Sequence, residues 1–174
     1  GLGGDALNPT SSKRIYAAKG RPSDNPLIVH IYRFEDIYKI TGDVPEEARR
    51  IADAFWPGPL TMILPKSDAV PYETTGGLDT VAIRMPSHPA AMKLIKDSGV
   101  YIAAPSANLS GRPSPTTAAH VEEDLSGSCY PKHLTAELYI HRKHYHPERY
   151  QRLRNQRYRR IFCGCQAEQS SHYL

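Results

Sequence analysis

Short apolar runs bounded by proline or glycine alternate with helical patterns through residues 1–127, and this alternation most restricts the possible folds. Strands are predicted over 27–31, 60–64, 80–85 and 100–104. Helices are predicted over 11–18, from just after Asp43 to just before the P-G-P segment at 57–59, over 89–96 and over 116–125. Nearly continuous apolar strands separated by helices indicate an α/β fold, with a mixed sheet covered by helices.

The helix that follows Asp43 has the most detailed pattern. Asp43 is expected to cap it, with Pro45 in its first turn. Its apolar face is predicted to contain the residues at helical spacing, Ala48, Ile51, Ala52 and Phe55.

Three other residues have structural interpretations. Trp56, in the segment F-W-P-G-P, is expected in the core or at a hinge. Asp79 and Arg84 are a candidate structural ion pair.

The composition changes sharply near Gly127, so residues 1–127 and 128–174 are treated as separate units. The first unit has 13 Lys and Arg against 15 Asp and Glu, a net charge of −2. The second has 9 against 3, a net charge of +6, and it contains all three cysteines.

This basic tail has three interpretations. Its interleaved tyrosines and cations could bind RNA, or Cys163 and Cys165 could join nearby histidines at a metal, although that spacing is weak evidence. A change of reading frame is the third and favoured interpretation, which predicts that 128–174 is disordered or out of register.

Two loops rich in glycine and proline concentrate the polar chemistry. The first has the sequence K-G-R-P-S-D-N-P-L over 19–27, and the second has A-P-S-A-N-L-S-G-R-P-S-P-T over 104–116. Fixed loops that present Lys, Arg, Ser and Asn can hold a polyanion by charge-assisted hydrogen bonds. A phosphate-bearing substrate is therefore the first hypothesis.

Several other chemistries lack their motifs. There is no GxGxxG fingerprint, no GxxxxGK[ST] loop and no HExxH. His30, His88 and His120 are scattered and make no metal-binding spacing, so no metal site is expected in 1–127.

These motifs, in this order, resemble the YrdC family, the threonylcarbamoyl-AMP synthases. The matching segments are G-L-G-G-D-A at 1–6, K-x-R at 19–21, F-W-P-G-P-L-T at 55–61, L-D-T-V-A-I-R-M-P at 78–86 and S-x-N at 106–108. The resemblance implies a twisted, mostly parallel or mixed sheet with surrounding helices and a concave basic surface.

The resemblance also implies a reaction. Family enzymes convert ATP, bicarbonate and L-threonine to threonylcarbamoyl-AMP and pyrophosphate, with Mg²⁺ as the expected accompanying ion. A downstream transferase then modifies tRNA.

Site residues follow from the matched motifs. The residues expected to contact ATP are Lys19, Arg21, Asn25, Thr80, Ser106 and Ser114. Threonine is expected against His30, Arg84 and the backbone near Ala104. The K-x-R and S-x-N elements supply the proposed catalytic set of Lys19, Arg21, Ser106 and Asn108.

The chain departs from the family pattern at both ends. The family's P-T-x-T-x-Y segment, which contributes to threonine and nucleotide binding, does not precede G-L-G here, and no D-G-G, E-S-T or R-P-G segment follows Gly127. We therefore expect a truncated domain with little or no synthase activity by itself. The alternative function is a non-catalytic protein that binds tRNA or double-stranded RNA through the same surface and the basic tail.

No apolar run approaches the roughly 18 residues needed to span a bilayer, and no signal peptide is visible. We expect a cytoplasmic protein with no membrane partner.

Overall fold

The computed structural model describes residues 1–128 and the backbone of 163–164. Strands are β1 (Leu2–Asp5), β2 (Ile28–His30), β3 (Thr61–Pro65), β4 (Thr80–Arg84), β5 (Ile102–Ala103) and β6 (Cys163–Gly164). Helices are α1 (Pro9–Lys19), α2 (Ile37–Ile40), α3 (Glu46–Phe55), α4 (Tyr72–Thr75), α5 (Pro89–Ser98) and α6 (Ala118–Leu125). A 3-10 turn at Phe34–Asp36 precedes α2.

The strands form one mixed sheet in the order β3-β4-β2-β5-β1-β6. The β2–β4 and β1–β6 pairs are parallel, and the other three pairs are antiparallel. The expected α/β fold with a mixed sheet is confirmed, with more antiparallel than parallel pairings. Residues 129–162 and 165–174 lie outside the described part, so the predictions made for the basic tail stay predictions.

The two faces of the sheet have different surroundings. Val29 and Ile83 are fully buried and Met62 is 8% exposed, and all three belong to the main core with Ile15 of α1. The alternate residues of β3 and β4 are half-buried or exposed, and Ile63 reaches 68% exposure. Side chains alternate across a strand, so one face of β3 and β4 carries the core and the other is more open.

A smaller apolar cluster lies beside β5. Leu94 and Ile95 of α5 pack with Ile102, against half-buried Tyr32 and Ala104. Among the residues that the structure describes, no helix is long and apolar enough to cross a membrane.

The predictions for α3 need two corrections. Asp43 does not cap the helix, because its carboxylate accepts from the N–H of Val44 and Pro45 occupies the cap position. Ala48 and Ala52 are buried, but Ile51 and Phe55 are 44% and 60% exposed. Residues four apart share a helix stripe, and here the two alanines form the stripe that faces the core.

The expected ion pair between Asp79 and Arg84 is also absent from the described structure. Asp79 accepts a hydrogen bond from the Tyr72 hydroxyl at 2.9 Å, and Arg84 donates to Thr61. The two residues are an odd number of positions apart, so an extended chain points them in opposite directions. Trp56 is 8% exposed within the core, which confirms the core interpretation.

Candidate active site

The antiparallel pairing of β2 with β5 brings the two polar loops together. The loop over 21–27 leads into β2 at Ile28, and the loop over 104–116 leaves β5 after Ala103. The register pairs Val29 with Ala103, and the N–H of Ala104 donates to the carbonyl of Ile28. The start of β2 and the end of β5 therefore lie at the same end of the sheet.

Lys19, at the end of α1, joins the two loops directly. Its side chain is buried, and Nζ donates to the carbonyl oxygens of Ser106 at 2.6 Å and Asn108 at 2.5 Å. The side-chain Oδ1 of Asn108 lies 3.4 Å from the same nitrogen. In the reverse direction, the carbonyl of Lys19 accepts from the N–H of Ser110. The ammonium thus holds the backbone of the S-x-N loop against the end of α1, and we call this set of hydrogen bonds the Lys19 clasp.

Asn108 holds the same loop from within, and Asp124 holds it from α6. The Asn108 amide donates to the carbonyls of Leu109 and Arg112, both at 2.8 Å. Asp124 of α6 accepts from the N–H of Leu109 and forms an ion pair with Arg112. These bonds hold the backbone in one shape, whereas Ser106 itself is exposed at the loop surface.

Arg21 lies in the other loop, beside Tyr16. Burial raises the pKa of the Tyr16 phenol, while the positive charge of Arg21 opposes the shift. The phenol donates to the carbonyl of Asn25 at 2.8 Å and so holds this loop against α1. Nε of Arg21 is buried without a hydrogen-bond partner among the described residues. A buried guanidinium nitrogen in that state suits an anionic ligand.

A row of polar side chains crosses the open face of the sheet. Thr61, Arg84 and His30 occupy matching positions on β3, β4 and β2, because the register pairs Thr61 with Arg84 and Arg84 with His30. Nε of Arg84 donates to Oγ1 of Thr61 at 2.8 Å. Nδ1 of His30 donates to the carbonyl of Ile102 at 3.2 Å, because a carbonyl can only accept.

The environment of His30 keeps its ring neutral near pH 7. Burial lowers the pKa of His30 to about 4, the hydrogen bond to Ile102 opposes this, and the charge of Arg84 adds to the lowering. With Nδ1 protonated, Nε2 is left as an acceptor. The row therefore offers one fixed positive charge and one neutral acceptor side by side.

The remaining predicted residues lie on the two polar loops and at the start of β4. Thr80 is half-buried at the start of β4, while Asn25 and Ser114 are exposed on the two loops. Ser106 lies four positions after Ile102, whose carbonyl accepts from His30, so at most about 14 Å of extended chain joins the second loop to the row. Residues 1–128 contain no group of three or more His, Cys, Asp and Glu side chains that could hold a metal ion.

Sequence reasoning missed three residues that hold this site together: Thr61, Tyr16 and Asp124. Thr61 falls in a matched segment, yet its contact with Arg84 depends on which strand pairs with β4. Tyr16 was available as a polar residue in the last turns of a predicted helix, next to the K-x-R element. Asp124 had no local signal, because it contacts the loop from another element.

Comparison with known proteins identifies the family of this chain. Residues 1–140 match the family model Sua5_yciO_yrdC, described as "Telomere recombination". The chain is 60% identical over 127 residues to threonylcarbamoyl-AMP synthase of Pyrococcus abyssi, and 59% identical over 128 residues to that of Bacillus subtilis. Each match covers 73% of this chain but only 37% of the relative, so the chain spans little more than a third of their length.

Two solved structures have folds similar to that of this chain. Sua5 of P. abyssi complexed with L-threonine superposes with a TM-score of 0.70 at 59% identity, covering 72% of this chain and 37% of that one. YciO of Escherichia coli superposes with a TM-score of 0.60 at 20% identity, covering 70% of this chain and 59% of that one, which supports the fold alone. With the family model matching most of its length, the chain belongs to the Sua5/YciO/YrdC family.

Proposed function

We propose that this chain carries the ATP and threonine sites of a threonylcarbamoyl-AMP synthase. The observation that carries the proposal is the 60% identity to a curated synthase, within a chain whose family match over residues 1–140 contains both loops and the His30–Arg84 row. The substrates are ATP, L-threonine and bicarbonate, and the products are threonylcarbamoyl-AMP and pyrophosphate.

The two loops bind the nucleotide in this proposal. Arg21 faces the phosphates, which suits a planar fork with a buried Nε. Ser106 presents its hydroxyl from a loop held by Lys19 and Asn108. Lys19 acts through the loop, and its charge lies close to the bound phosphates. The outer contacts are assigned to Asn25, Thr80 and Ser114.

The polar row binds the amino acid. The guanidinium of Arg84 pairs with the threonine carboxylate, and Nε2 of His30 accepts a hydrogen bond from the substrate. The backbone near Ala104 lies beside β2, where it completes this side of the site.

The chemistry needs positioning and charge stabilisation rather than a protein nucleophile. The threonine amine adds to bicarbonate with loss of water and forms an N-carboxylate. An oxygen of that carboxylate attacks the α-phosphorus, and the bond to the β,γ-phosphates breaks to release pyrophosphate. A Mg²⁺ that accompanies ATP would offset part of the negative charge of the phosphates.

The product is a mixed anhydride of a carbamic acid and AMP, which is an activated acyl donor. A transferase that delivers the threonylcarbamoyl group to tRNA is the proposed downstream partner.

Pyrophosphate release tests the proposal. The chain is incubated with ATP, bicarbonate and L-threonine, and release is measured with each substrate omitted in turn. Titration calorimetry measures ATP and threonine binding in parallel. Release that requires all three substrates supports the full activity, and binding of ATP and threonine supports the sites. No binding of either ligand contradicts the proposal.

Replacement of Arg21 tests the nucleotide contact. Arg21→Ala removes a charge-assisted hydrogen bond, so ATP affinity should fall by about 1.5–3 kcal/mol. Arg50→Ala is the matched control, because Arg50 is 70% exposed on α3 and pairs only with Glu47 among the described residues. Equal ATP affinities for the two variants would remove Arg21 from the site.

A further inference from the structure

Arg84 is held at one nitrogen by a neighbouring strand. Thr61 and Arg84 are direct partners in the antiparallel pair of β3 and β4, so their side chains share one face. Nε of Arg84 donates to Oγ1 of Thr61 at 2.8 Å, and both residues are half-buried. Within residues 1–128 this is the hydrogen bond that fixes the guanidinium.

This bond restricts how Arg84 can meet a carboxylate. A guanidinium can bind a carboxylate with two parallel bonds either side-on, through Nε and one Nη, or end-on, through both Nη atoms. Thr61 already uses the Nε hydrogen, so the side-on mode is blocked. The end-on pair of Nη atoms is the mode left for a bidentate contact.

The support beneath the pair is rigid. Thr61 is β-branched, so its χ1 angle is restricted on a strand. Met62 and Ile83, the neighbours of Thr61 and Arg84 along the two strands, point to the opposite face and are buried in the core. On the other side of Arg84, the ring of His30 is tied to the carbonyl of Ile102.

We propose that Thr61 is the positioning residue of the threonine site, orienting Arg84 so that its two Nη atoms receive the substrate carboxylate end-on. The inference rests on the proposed function, since Arg84 is assigned there to the threonine carboxylate. Thr61 itself acts through Arg84 and needs no contact with the substrate.

The test compares Thr61→Val with Thr61→Ser. Valine keeps the shape and suits a strand, but it has no hydroxyl to accept from Nε, whereas serine keeps the acceptor. Binding of L-threonine and of L-threoninol, which lacks the carboxylate, is measured by titration calorimetry. The same measurements are made with each variant in an Arg84→Ala background, and ATP affinity and the unfolding midpoint are recorded as controls for folding.

Thr61→Val should weaken L-threonine binding about five- to tenfold, with L-threoninol and ATP binding unchanged. Thr61→Ser should remain within about twofold of the parent chain. In the Arg84→Ala background, Thr61→Val should have no further effect, because nothing is left to position.

Two results separate this inference from the proposed function. If Arg84→Ala weakens threonine binding and Thr61→Val does not, the positioning role is wrong and the proposed function stands. If Arg84→Ala leaves threonine binding unchanged, the assignment of Arg84 fails and the positioning role fails with it. Equal losses of L-threonine and L-threoninol binding in Thr61→Val would also overturn the inference.

Discussion

At the scale of single residues, His30 shows how burial selects a protonation state. A buried imidazole beside the positive charge of Arg84 is more stable neutral than charged, and the pKa of His30 falls to about 4 although its hydrogen bond to Ile102 opposes the shift. An ordinary exposed histidine has a pKa near 6.5. Near pH 7, His30 is therefore neutral, and the positive charge of this pair is that of Arg84.

Stability should depend on pH through His30. The unfolded chain takes up a proton near pH 6.5 and the folded chain only near 4, so the contribution of neutral His30 is complete above about 6.5. It should be lost progressively as the pH falls from 6.5 to 4, by about 1–3 kcal/mol. Urea unfolding at pH 7 and pH 4.5 measures this loss.

His30→Gln is the control for the other titrating groups. The loss of stability between the two pH values should be smaller in this variant than in the parent chain. The same loss in both would show that His30 does not titrate as described.

At the scale of elements, the end of α1 organises the two polar loops. Lys19 binds two carbonyls 87 and 89 residues further along the chain, and Tyr16, one turn earlier, binds the carbonyl of Asn25. One helix terminus therefore sets the relative position of both loops.

Replacing Lys19 should destabilise the fold as well as the site. Lys19→Met leaves the carbonyls of Ser106 and Asn108 without their donor, and an unsatisfied buried acceptor costs about 1–3 kcal/mol. Lys13→Met on the same helix is the control, because its ion pair with Glu73 is exposed and such pairs contribute about 0–1 kcal/mol. Chemical unfolding measures both, and a larger effect at Lys13 would contradict the clasp.

The turn after α4 supports the loop over 21–27 through a close backbone approach. A Cβ atom at Gly76 would lie 2.9 Å from the backbone carbon and oxygen of Asp24, whereas one at Gly77 would meet nothing within 4 Å. Both glycines have positive φ, so alanine is strained at either position. The difference in stability between the two alanine variants therefore reports the steric contact with Asp24.

Gly76→Ala should therefore be the more destabilising of the two substitutions, by about 1–3 kcal/mol. It should also weaken ATP binding, because relief of the clash moves the segment that contains Asn25. Thermal unfolding and ATP titration of Gly76→Ala and Gly77→Ala check this. Equal stability and equal ATP affinity of the two variants would show that the loop moves away from the added methyl group at no cost in free energy.

At the scale of the whole molecule, the sheet separates a packed core from a more open face on which the polar row lies. Ile83 is fully buried on the core face of β4, and Ile63 on the neighbouring β3 is 68% exposed on the other face. Of these two isoleucines on adjacent strands, one is therefore packed in the core and the other is exposed to solvent.

Truncation of these two residues measures the difference. Ile83→Ala should lower the unfolding free energy by about 2–5 kcal/mol, because it removes buried methyl groups and leaves a cavity. Ile63→Ala should change it by less than about 0.5 kcal/mol. Similar losses of unfolding free energy in the two variants, measured by denaturant unfolding, would show that both faces of the sheet are buried.

Most of the helices and strands could be predicted from local patterns in the sequence. Helical spacing and proline or glycine boundaries predicted α1, α3, α5 and α6, and apolar runs predicted β2, β3, β4 and β5, with shifts at their ends. The pattern did not reveal β1, because Gly3 and Gly4 weaken a strand signal. A Cβ atom at position 4 would lie 3.1 Å from Cβ of Ser11 on α1, a tight contact that favours glycine there.

The K-x-R and S-x-N elements were also visible in the sequence, because glycine and proline mark rigid loops and the family motifs are local. Only the tertiary structure decided what those residues contact. The clasp of Lys19 on the second loop and the bond from Arg84 to Thr61 both depend on the order and direction of the strands. Periodicity and turn residues specify single elements, whereas strand order follows from packing between elements that are far apart in the chain.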